Sequence, residues 1–430
     1  MKKIISALVA TLAAISMVSM PACTSNTAKV LAAPDETKFE HDYNALDGAD
    51  EFLSGLAAFS SDFSATYAKS THRDENFSVS PVSVFTALAL TAKCSYSQTK
   101  TEILNALNLS EELLDEYVGK LYRALNVNYT EKGFLGAEKT TARLSLTNSL
   151  WLCEGLNAKQ NVLNELAEKY FCYSYEAPFS KNNAKANKDL TEFVKKNTNG
   201  LIDKDFKLSV DTLFALVNTL YIKEIWTQSG DELPETSPEP FANGDGTTVS
   251  TRYLYGNFTV GKPYADDDFS SFYTVTAHGY KLCFILPQNG KTVDQIFTAQ
   301  TLNKVINGGI YDPKGEYTYE TRCIFPSFTA NSDNDIKGIL KDMGINELFS
   351  AFCNMKNLTD EPCCCNKVIH SSKLKVDKTG IEGAAVTAMV GDKGASEPFE
   401  KIDYKIDKAF GFVLLSPQNV PLFSGMVNIL

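Results

Sequence analysis

The stretch Lys378-Thr-Gly-Ile-Glu-Gly-Ala-Ala-Val-Thr-Ala-Met-Val-Gly-Asp-Lys-Gly-Ala-Ser-Glu-Pro398 consists mainly of small and β-branched residues. Between Gly380 and Gly391 it contains no aromatic residue, and its only charge is Glu382. Read at a period of two, the row that starts at Ile381 and ends at Gly391 carries no charge. This row could therefore face a core if the segment became a strand. The composition leaves a surface loop and a strand open as alternatives, and it favours the loop.

The segments around this stretch predict a mixed fold. Val368–Val376 and Ala409–Leu415 read as strands on either side of it, and the continuous apolar run Thr212–Ile222 is typical of a central strand. Val84–Ala92 is apolar almost all round, which predicts a buried helix, and Val293–Ile306 is predicted to be one helix. Because no repeat and no clean domain break occurs, the pattern predicts one α+β unit.

The N-terminus predicts a targeting segment over residues 1–22. Two lysines precede the apolar run Ile4–Val18, which is too short for a transmembrane helix. A small residue before Cys23 resembles a bacterial lipoprotein processing site, so Cys23 is a candidate for lipidation, with ordinary secretion as the alternative. Residues 23–46 are polar and rich in small residues, which predicts a tether.

Charge and chemistry exclude several classes of function. The chain has 430 residues, a formal charge of −11 and no basic cluster, so we expect no nucleic-acid partner and membrane contact only through a lipid anchor.

There is no Gly-x-Ser-x-Gly motif, and four histidines offer few candidates for a catalytic triad. His370 lies in an apolar run, which favours a hydrogen-bonded core residue over a base. We therefore predict that the protein is not an enzyme and needs no cofactor.

The cysteines do not form a recognisable metal motif. The sequence has ten, and nine remain without Cys23, an odd number that cannot pair completely within the chain. Three of them are consecutive, Cys363–Cys365. Because adjacent residues of a strand point to opposite faces, this run makes a poor metal clamp, and no metal site is predicted there.

Several ordered motifs resemble one family, the serpins. Asn76, Ser80, Pro81 and Ser83 are similar to its Asn-x-x-x-Ser-Pro-x-Ser motif, and Leu216–Trp226 is close to its Val-Asn-Ala-x-Tyr-Phe-Lys-Gly-x-Trp. Further segments follow the family's order: Leu144–Leu152, Phe284–Pro287, Phe325–Phe328, Leu340–Phe349, Val368–His370 and Phe410–Asn428. The resemblance covers about residues 47–430, and although each motif is weak alone, the ordered set is highly specific.

The resemblance implies a serpin fold, a single α+β domain with about nine helices, three β-sheets and an exposed reactive-centre loop over about residues 378–402. In this family a target protease cleaves the loop as if it were a substrate. The loop then inserts into the central sheet as a new strand and distorts the trapped protease. The implied hinge consists of Gly380, Ile381, Glu382, Gly383, Ala384, Ala385, Val386 and Thr387. The implied shutter beneath the sheet and breach at its top consist of Ser80, Ser83, Asn218, His370 and Trp226.

The hinge composition favours inhibition, because the row that would face inward carries no charge. Burying an unpaired charge during insertion would cost several kcal/mol. Ile381 is larger than the family's usual Thr or Ser, but it is uncharged and β-branched. Lys378 replaces the family's usual glutamate, which affects the salt bridge expected at the top of the hinge.

Two counts bear on the reactive bond. Counting forward from the hinge by the family's spacing places the bond after Gly394, and counting back from Phe410 places it after Pro398. Since the uncharged row ends before Lys393, we predict cleavage at one of three residues: Lys393, Gly394 or Ala395. Lys393 would attract a trypsin-like serine protease and Ala395 an elastase-like one, with cysteine proteases as further candidates.

The sequence thus predicts a monomeric suicide-substrate inhibitor of serine proteases. It would be a bacterial protein that is secreted, or anchored on the outer face of the cytoplasmic membrane. The alternative is a non-inhibitory serpin-fold protein that serves as a binding or substrate protein.

Overall fold

The computed structural model describes residues 28–72, 74–132, 138–226, 232–260, 263–308, 319–365, 367–382 and 401–430. Its α-helices in these ranges are α1 (Asp50–Ala68), α2 (Pro81–Cys94), α3 (Ser97–Leu107), α4 (Glu111–Leu125), α5 (Gln160–Tyr170), α6 (Asn183–Asn197), α7 (Val293–Ile296), α8 (Ala299–Ile306) and α9 (Lys337–Asp342). Two short 3₁₀ helices cover Glu36–Lys38 and Glu347–Phe349.

The strands in the same ranges are β1 (Lys29–Ala32), β2 (Phe77–Val79), β3 (Val127–Lys132), β4 (Glu138–Cys153), β5 (Cys172–Ala177), β6 (Phe214–Ile225), β7 (Glu239–Ala242), β8 (Thr248–Thr251), β9 (Tyr253–Val260), β10 (Tyr264–Ala265), β11 (Phe269–Val275), β12 (Lys281–Pro287), β13 (Tyr319–Pro326), β14 (Phe328–Asp335), β15 (Ile369–Val376), β16 (Gly380–Ile381), β17 (Lys401–Lys405), β18 (Phe410–Leu415) and β19 (Pro421–Val427).

The strands form one large sheet and three smaller ones. The central sheet has the order β1-β5-β4-β6-β16-β15-β14, with β3 added to β4. A second sheet has the order β10-β11-β12-β18-β19-β2, a third joins β17, β13 and β9, and β7 pairs with β8. The predicted α+β class is confirmed, and the two-stranded β7–β8 pair adds to the three sheets expected.

The central sheet is covered on both faces, and the alternation along β4 shows why. Leu150 and Leu152 point into the main core, whereas Trp151 and Cys153 belong to a second cluster on the opposite face. That second cluster includes Leu190 of α6, and the main core includes α2. Because successive side chains of a strand alternate between faces, α2 and α6 lie on opposite sides of the sheet.

One predicted element differs in the structure. The single helix predicted over Val293–Ile306 is two helices, α7 and α8, separated at Phe297 and Thr298. The Thr298 side chain accepts a hydrogen bond from the Thr301 amide and so starts α8 as an N-cap. Local capping therefore overrides the apolar periodicity that predicted one helix.

Part of the segment predicted as a tether is ordered in the structure. Strand β1 lies within residues 23–46 and pairs antiparallel with β5 at the edge of the central sheet. Further along, the Phe39 ring packs edge-on against Tyr122 and Phe171. Within its described portion, residues 28–46, this segment therefore packs along the sheet edge and α4.

Candidate functional site

The central sheet is divided between β6 and β15. At the upper end of this boundary β16 lies between the two strands, with Ile381 paired to Glu224 of β6 and to Val376 of β15. Below β16, the described residues of β6 and β15 do not pair with each other, and a cavity of about 120 Å³ opens there. We call this opening the β6–β15 gap; its lining includes Ser80, Leu216, Asn218, Thr219, Ile369 and His370.

Strand β6 shows the signs of a missing neighbour at this gap. Although β6 is a central strand, the side chains of Ala215, Leu216 and Val217 are only partly buried. The buried atoms Asn218 Oδ1 and Thr219 Oγ1 have no hydrogen-bond partner among the described residues. Because no described strand pairs with this edge of β6 below Glu224, the sheet is incomplete there.

The first hinge residues occupy the top of the gap. Gly380 lies so close to β6 that a Cβ atom would be 1.9 Å from the Glu224 carbonyl oxygen, which excludes any side chain there. Ile381 is fully buried. Glu382 has a left-handed backbone, with φ of 71°, and its amide donates to the Lys375 carbonyl at 2.6 Å. Two predicted hinge residues are therefore already part of the sheet, and the chain turns at the third.

The Glu382 carboxylate is held above β6. The Tyr221 hydroxyl donates to its Oε2 at 3.3 Å, and burial raises the pKa of this carboxyl above its usual range. The same burial raises the pKa of Tyr221 to about 12, so its hydroxyl keeps the proton that it donates. The only charge of the hinge thus lies beside Tyr221, on the face of the sheet opposite to Ile381.

The turn before the hinge is held by Trp226, which the sequence predicted, and by Asp377, Thr379 and Glu232, which it did not. The Trp226 indole N–H donates to the Asp377 carbonyl at 2.6 Å, and the Asp377 carboxylate accepts from the Thr379 amide and hydroxyl at 2.8 and 2.6 Å. Lys378, which stands where the family usually has a glutamate, forms an ion pair with Glu232 at 2.7 Å. An aspartate two residues before a threonine is the signal of an Asx turn, which could have identified Asp377.

Three of the predicted shutter residues form one cluster below the gap. The Ser80 amide donates to His370 Nε2 at 3.1 Å, and the Ser80 hydroxyl donates to the Ser83 hydroxyl at 2.9 Å. Because Nε2 accepts a hydrogen bond, the His370 ring is neutral in this arrangement. Burial lowers the pKa of His370 to about 4, in agreement with a neutral ring.

The fourth predicted residue, Asn218, belongs to a neighbouring cluster. Its Nδ2 donates to Thr86 Oγ1 at 2.9 Å and to Asn148 Oδ1, which joins β6 to α2 and β4. Thr86 follows Ser83 by three residues, so both lie on the same face of α2, a spacing that could have identified it. The structure thus brings Ser80, Ser83, Asn218 and His370 to the lower part of the gap and Trp226 to its top.

The described residues show no metal site. No three His, Cys, Asp or Glu side chains within them converge in a way that could hold a metal ion. The described cysteines are free thiols, and burial raises the pKa values of Cys363 and Cys365 to about 12. These thiols are therefore poor nucleophiles at neutral pH.

Several predicted site residues lie outside the described residues. They are the hinge residues 383–387, the reactive-bond candidates Lys393, Gly394 and Ala395, and Cys23. In the part of the chain that the structure covers, no helix combines the length and apolar character needed to cross a bilayer.

Comparison with known proteins gives one family. The family model for serpin (serine protease inhibitor) matches residues 54–429. Serine proteinase inhibitor A3K of Cavia porcellus is 26% identical over 382 residues, covering 84% of this chain and 87% of that protein. Corticosteroid-binding globulin of Ovis aries is 26% identical over 319 residues, covering 73% of this chain and 71% of that protein. The crystal structure of a thermophilic serpin, tengpin, in the native state matches with a TM-score of 0.72 at 22% identity, covering 89% of this chain and 95% of that one.

Proposed function

Because the chain belongs to the serpin family, we propose that it inhibits serine proteases as a suicide substrate, by inserting its cleaved reactive-centre loop into the β6–β15 gap. Members of this family are in general inhibitors rather than enzymes. One of the relatives carries the name of a binding globulin, so the family alone does not decide between inhibition and binding.

The observation that carries the proposal is the position of Gly380 and Ile381. They are paired between β6 and β15 at the upper end of a gap whose lower part is open. A strand that continued downward from Ile381 would pair with the facing edges of β6 and β15, which pair with no strand among the described residues there. Each new pair adds backbone hydrogen bonds and buried surface, so insertion would lower the free energy of the protein.

The chemical step belongs to the protease. Its serine oxygen attacks the carbonyl carbon of the reactive bond, an ester forms, and the departing amine takes up the proton and becomes a new N-terminus. Insertion then competes with hydrolysis of this ester. The row of residues that would face inward on insertion begins at the buried Ile381 and carries no charge as far as Gly391.

Within this proposal, the target class follows from the reactive bond. Cleavage after Lys393 would suit a trypsin-like protease, and cleavage at Ala395 an elastase-like one, with cysteine proteases as further targets. Mass spectrometry of the released C-terminal fragment tests this, and a fragment that begins outside residues 390–396 would contradict the predicted position.

We also propose that the protein is exported in a bacterium, with residues 1–22 as its signal and Cys23 as the site of lipidation or the start of a tether. Mass spectrometry of the N-terminal peptide from expressed full-length protein tests this. A diacylated Cys23 supports the anchored form, an unmodified N-terminus near Cys23 supports secretion, and an intact Met1 would contradict both.

A gel assay tests the inhibitory function. The full chain is incubated with a trypsin-like and an elastase-like protease and then boiled in SDS. A covalent complex of protease and inhibitor supports the proposal. Cleavage of the loop without a complex would contradict it and favour the alternative, a non-inhibitory binding or substrate protein. A protease with its catalytic serine replaced by alanine serves as the control, because it cannot form the ester.

A further inference from the structure

Four cysteines lie together beside the 3₁₀ helix Glu347–Phe349, near the lower end of the β6–β15 gap. They are Cys353, which follows this helix in the chain, and the consecutive run Cys363–Cys365, which comes shortly before β15. Cys353, Cys364 and Cys365 are partly exposed, and Cys363 is buried. Trapping of a protease assigns no role to these thiols.

The end of the 3₁₀ helix holds both cysteine segments through its carbonyl groups. The Cys353 amide donates to the Ser350 carbonyl at 3.2 Å, and the Cys365 amide donates to the Leu348 carbonyl at 3.2 Å. Because Leu348 and Ser350 belong to the same turn, the two cysteine backbones lie close together although residues 354–364 separate them in the chain.

The Cys353 sulfur lies against the backbone of Cys365. The Cys365 amide also donates a hydrogen bond to this sulfur, which places it within about 5 Å of the Cys365 Cα. A disulfide puts each sulfur about 4 Å from the Cα of the other cysteine, so little backbone movement is needed. The Cys365 thiol itself donates to the Lys367 carbonyl at 3.5 Å, a weak bond that rotation of the side chain would give up.

We infer that Cys353 and Cys365 are a disulfide-forming pair, which a small disulfide such as oxidised glutathione converts into a cystine bridge. One protein thiolate attacks a sulfur of oxidised glutathione, and the first glutathione thiolate leaves and takes up the proton. The second protein thiolate attacks the protein sulfur of this mixed disulfide and releases the second glutathione. Two protein thiols are oxidised, and one glutathione disulfide is reduced to two thiols.

Burial makes the bridge slow to form and hard to reduce. It raises the pKa of Cys353 to about 11 and that of Cys365 to about 12. At neutral pH few of these thiols are ionised, which slows their attack on a disulfide. For the same reason the reduced protein gains no stability from a thiolate, so the bridge resists reduction once it has formed.

The bridge would fasten the segment that leads into β15 to the segment after the 3₁₀ helix. Cys365 and Leu348 both line the cavity of the β6–β15 gap, so this fastening lies at the lower wall of the gap. It would close a loop over residues 353–365 and restrict the unfolded chain more than the folded one. The inference is independent of protease inhibition, and the proposed export would supply the oxidising surroundings.

Peptide mapping tests the pair, because trypsin separates its two members. Cleavage after lysine gives one peptide over residues 342–356, whose single cysteine is Cys353, and one over residues 357–367, which contains Cys363–Cys365. The native full-length protein is equilibrated with oxidised and reduced glutathione, its remaining thiols are blocked with N-ethylmaleimide, and it is digested without reduction. We expect the two peptides to be cross-linked, with the bond assigned by fragmentation to Cys353 and Cys365.

Two substitutions separate this pair from other thiols. Cys365→Ser should abolish the cross-linked peptides. Cys153→Ser should retain them, because it changes a buried cysteine at the end of β4 whose thiol already donates to Glu154 and which serine can replace as a donor. A bond within the peptide 357–367, cross-linking that persists in Cys365→Ser, a covalent dimer or the absence of any bond would each overturn the inference.

Urea unfolding gives a second measurement that needs no protease. The oxidised wild type should have an unfolding equilibrium constant at least about tenfold lower than the reduced wild type, because the bridge restricts the unfolded chain. This difference should vanish in Cys365→Ser, and a difference of the same size in that variant would count against the pair. Failure of the gel assay with the cross-linked peptides present would instead count against the proposed function alone.

Discussion

The upper and lower parts of the boundary between β6 and β15 differ in what lies between the strands. At the upper end, Gly380 and Ile381 complete the sheet. At the lower end the same two strands face a cavity, and the buried atoms Asn218 Oδ1 and Thr219 Oγ1 have no hydrogen-bond partner in the part of the chain that the structure describes. The upper part shows what the lower part would become if a strand entered it.

The two parts are also stabilised in different ways. The upper part is held by backbone pairing and by side chains that fix the turn, such as Trp226 and Asp377. The lower part is held by two buried hydrogen bonds, one from Asn218 of β6 to Thr86 of α2 and one from the Ser80 amide, at the N-cap of α2, to His370 of β15. A change at the top should therefore act on insertion, whereas a change at the bottom should act on the stability of the uncleaved protein.

The largest effect is expected from Ile381→Glu in the upper part. Ile381 is fully buried on the inward face, so an ionised glutamate there would cost several kcal/mol or would force the hinge out of the sheet. We expect cleavage of the loop to continue while the SDS-stable complex falls at least about tenfold, as measured by the gel assay.

Ile381→Thr is the matched control for this substitution. Threonine keeps the β-branch without a charge and should retain at least about half of the complex. If Ile381→Glu and Ile381→Thr gave equal yields of the SDS-stable complex, the pairing of Ile381 in the sheet would have no part in trapping the protease. The difference between the upper and lower parts would then not bear on inhibition.

The resemblance to the family, carried by ordered motifs, predicted which residues belong to the hinge and the shutter, and the structure brings Gly380, Ile381 and His370 to the boundary between β6 and β15. Composition alone favoured a surface loop for the stretch that starts at Gly380, whereas an apolar run with no turn residues predicted the central strand. The sequence could not predict the contact between the Glu224 carboxylate and His278, because His278 lies 54 residues further along the chain and the contact exists only after two sheets have packed. It also did not predict two helices within Val293–Ile306, where a threonine cap outweighs the apolar period.

A smaller effect is expected in the lower part, from the titration of His370. Its pKa in the folded protein, about 4, lies below the value of about 6.5 for an exposed histidine, so the folded state favours the neutral ring. The stability that this confers is complete above about pH 6.5 and is lost as the pH falls towards 4. The loss should reach about 3 kcal/mol, measured by urea unfolding of the uncleaved protein.

His370→Gln separates this contribution from other groups that titrate in acid. Glutamine can still accept a hydrogen bond from the Ser80 amide but does not titrate, so the pH profile of the variant should be flatter between pH 6.5 and 4 than that of wild type. The carboxylates that become protonated in the same range contribute equally to both proteins. Parallel pH profiles of the two proteins would show that the titration of His370 does not contribute to the loss of stability in acid.

The smallest effect is expected from the ion pair between Lys378 and Glu232, at the outer rim of the upper part. Both side chains are 47% exposed, and the hydrogen bond and charge of Glu232 raise the pKa of Lys378, so the pair is formed throughout the neutral range. Exposed pairs contribute little and are screened by salt. Lys378→Glu, which brings two acids together, should change the rate of complex formation by less than about threefold at low salt and by nothing measurable at high salt.

The double exchange Lys378→Glu with Glu232→Lys should restore the wild-type rate, because it restores opposite charges at the same place. A larger effect that persisted at high salt and in the double exchange would mean that Lys378 acts on the hinge through its backbone, whose carbonyl accepts from the Leu233 amide at 2.8 Å, rather than through its charge.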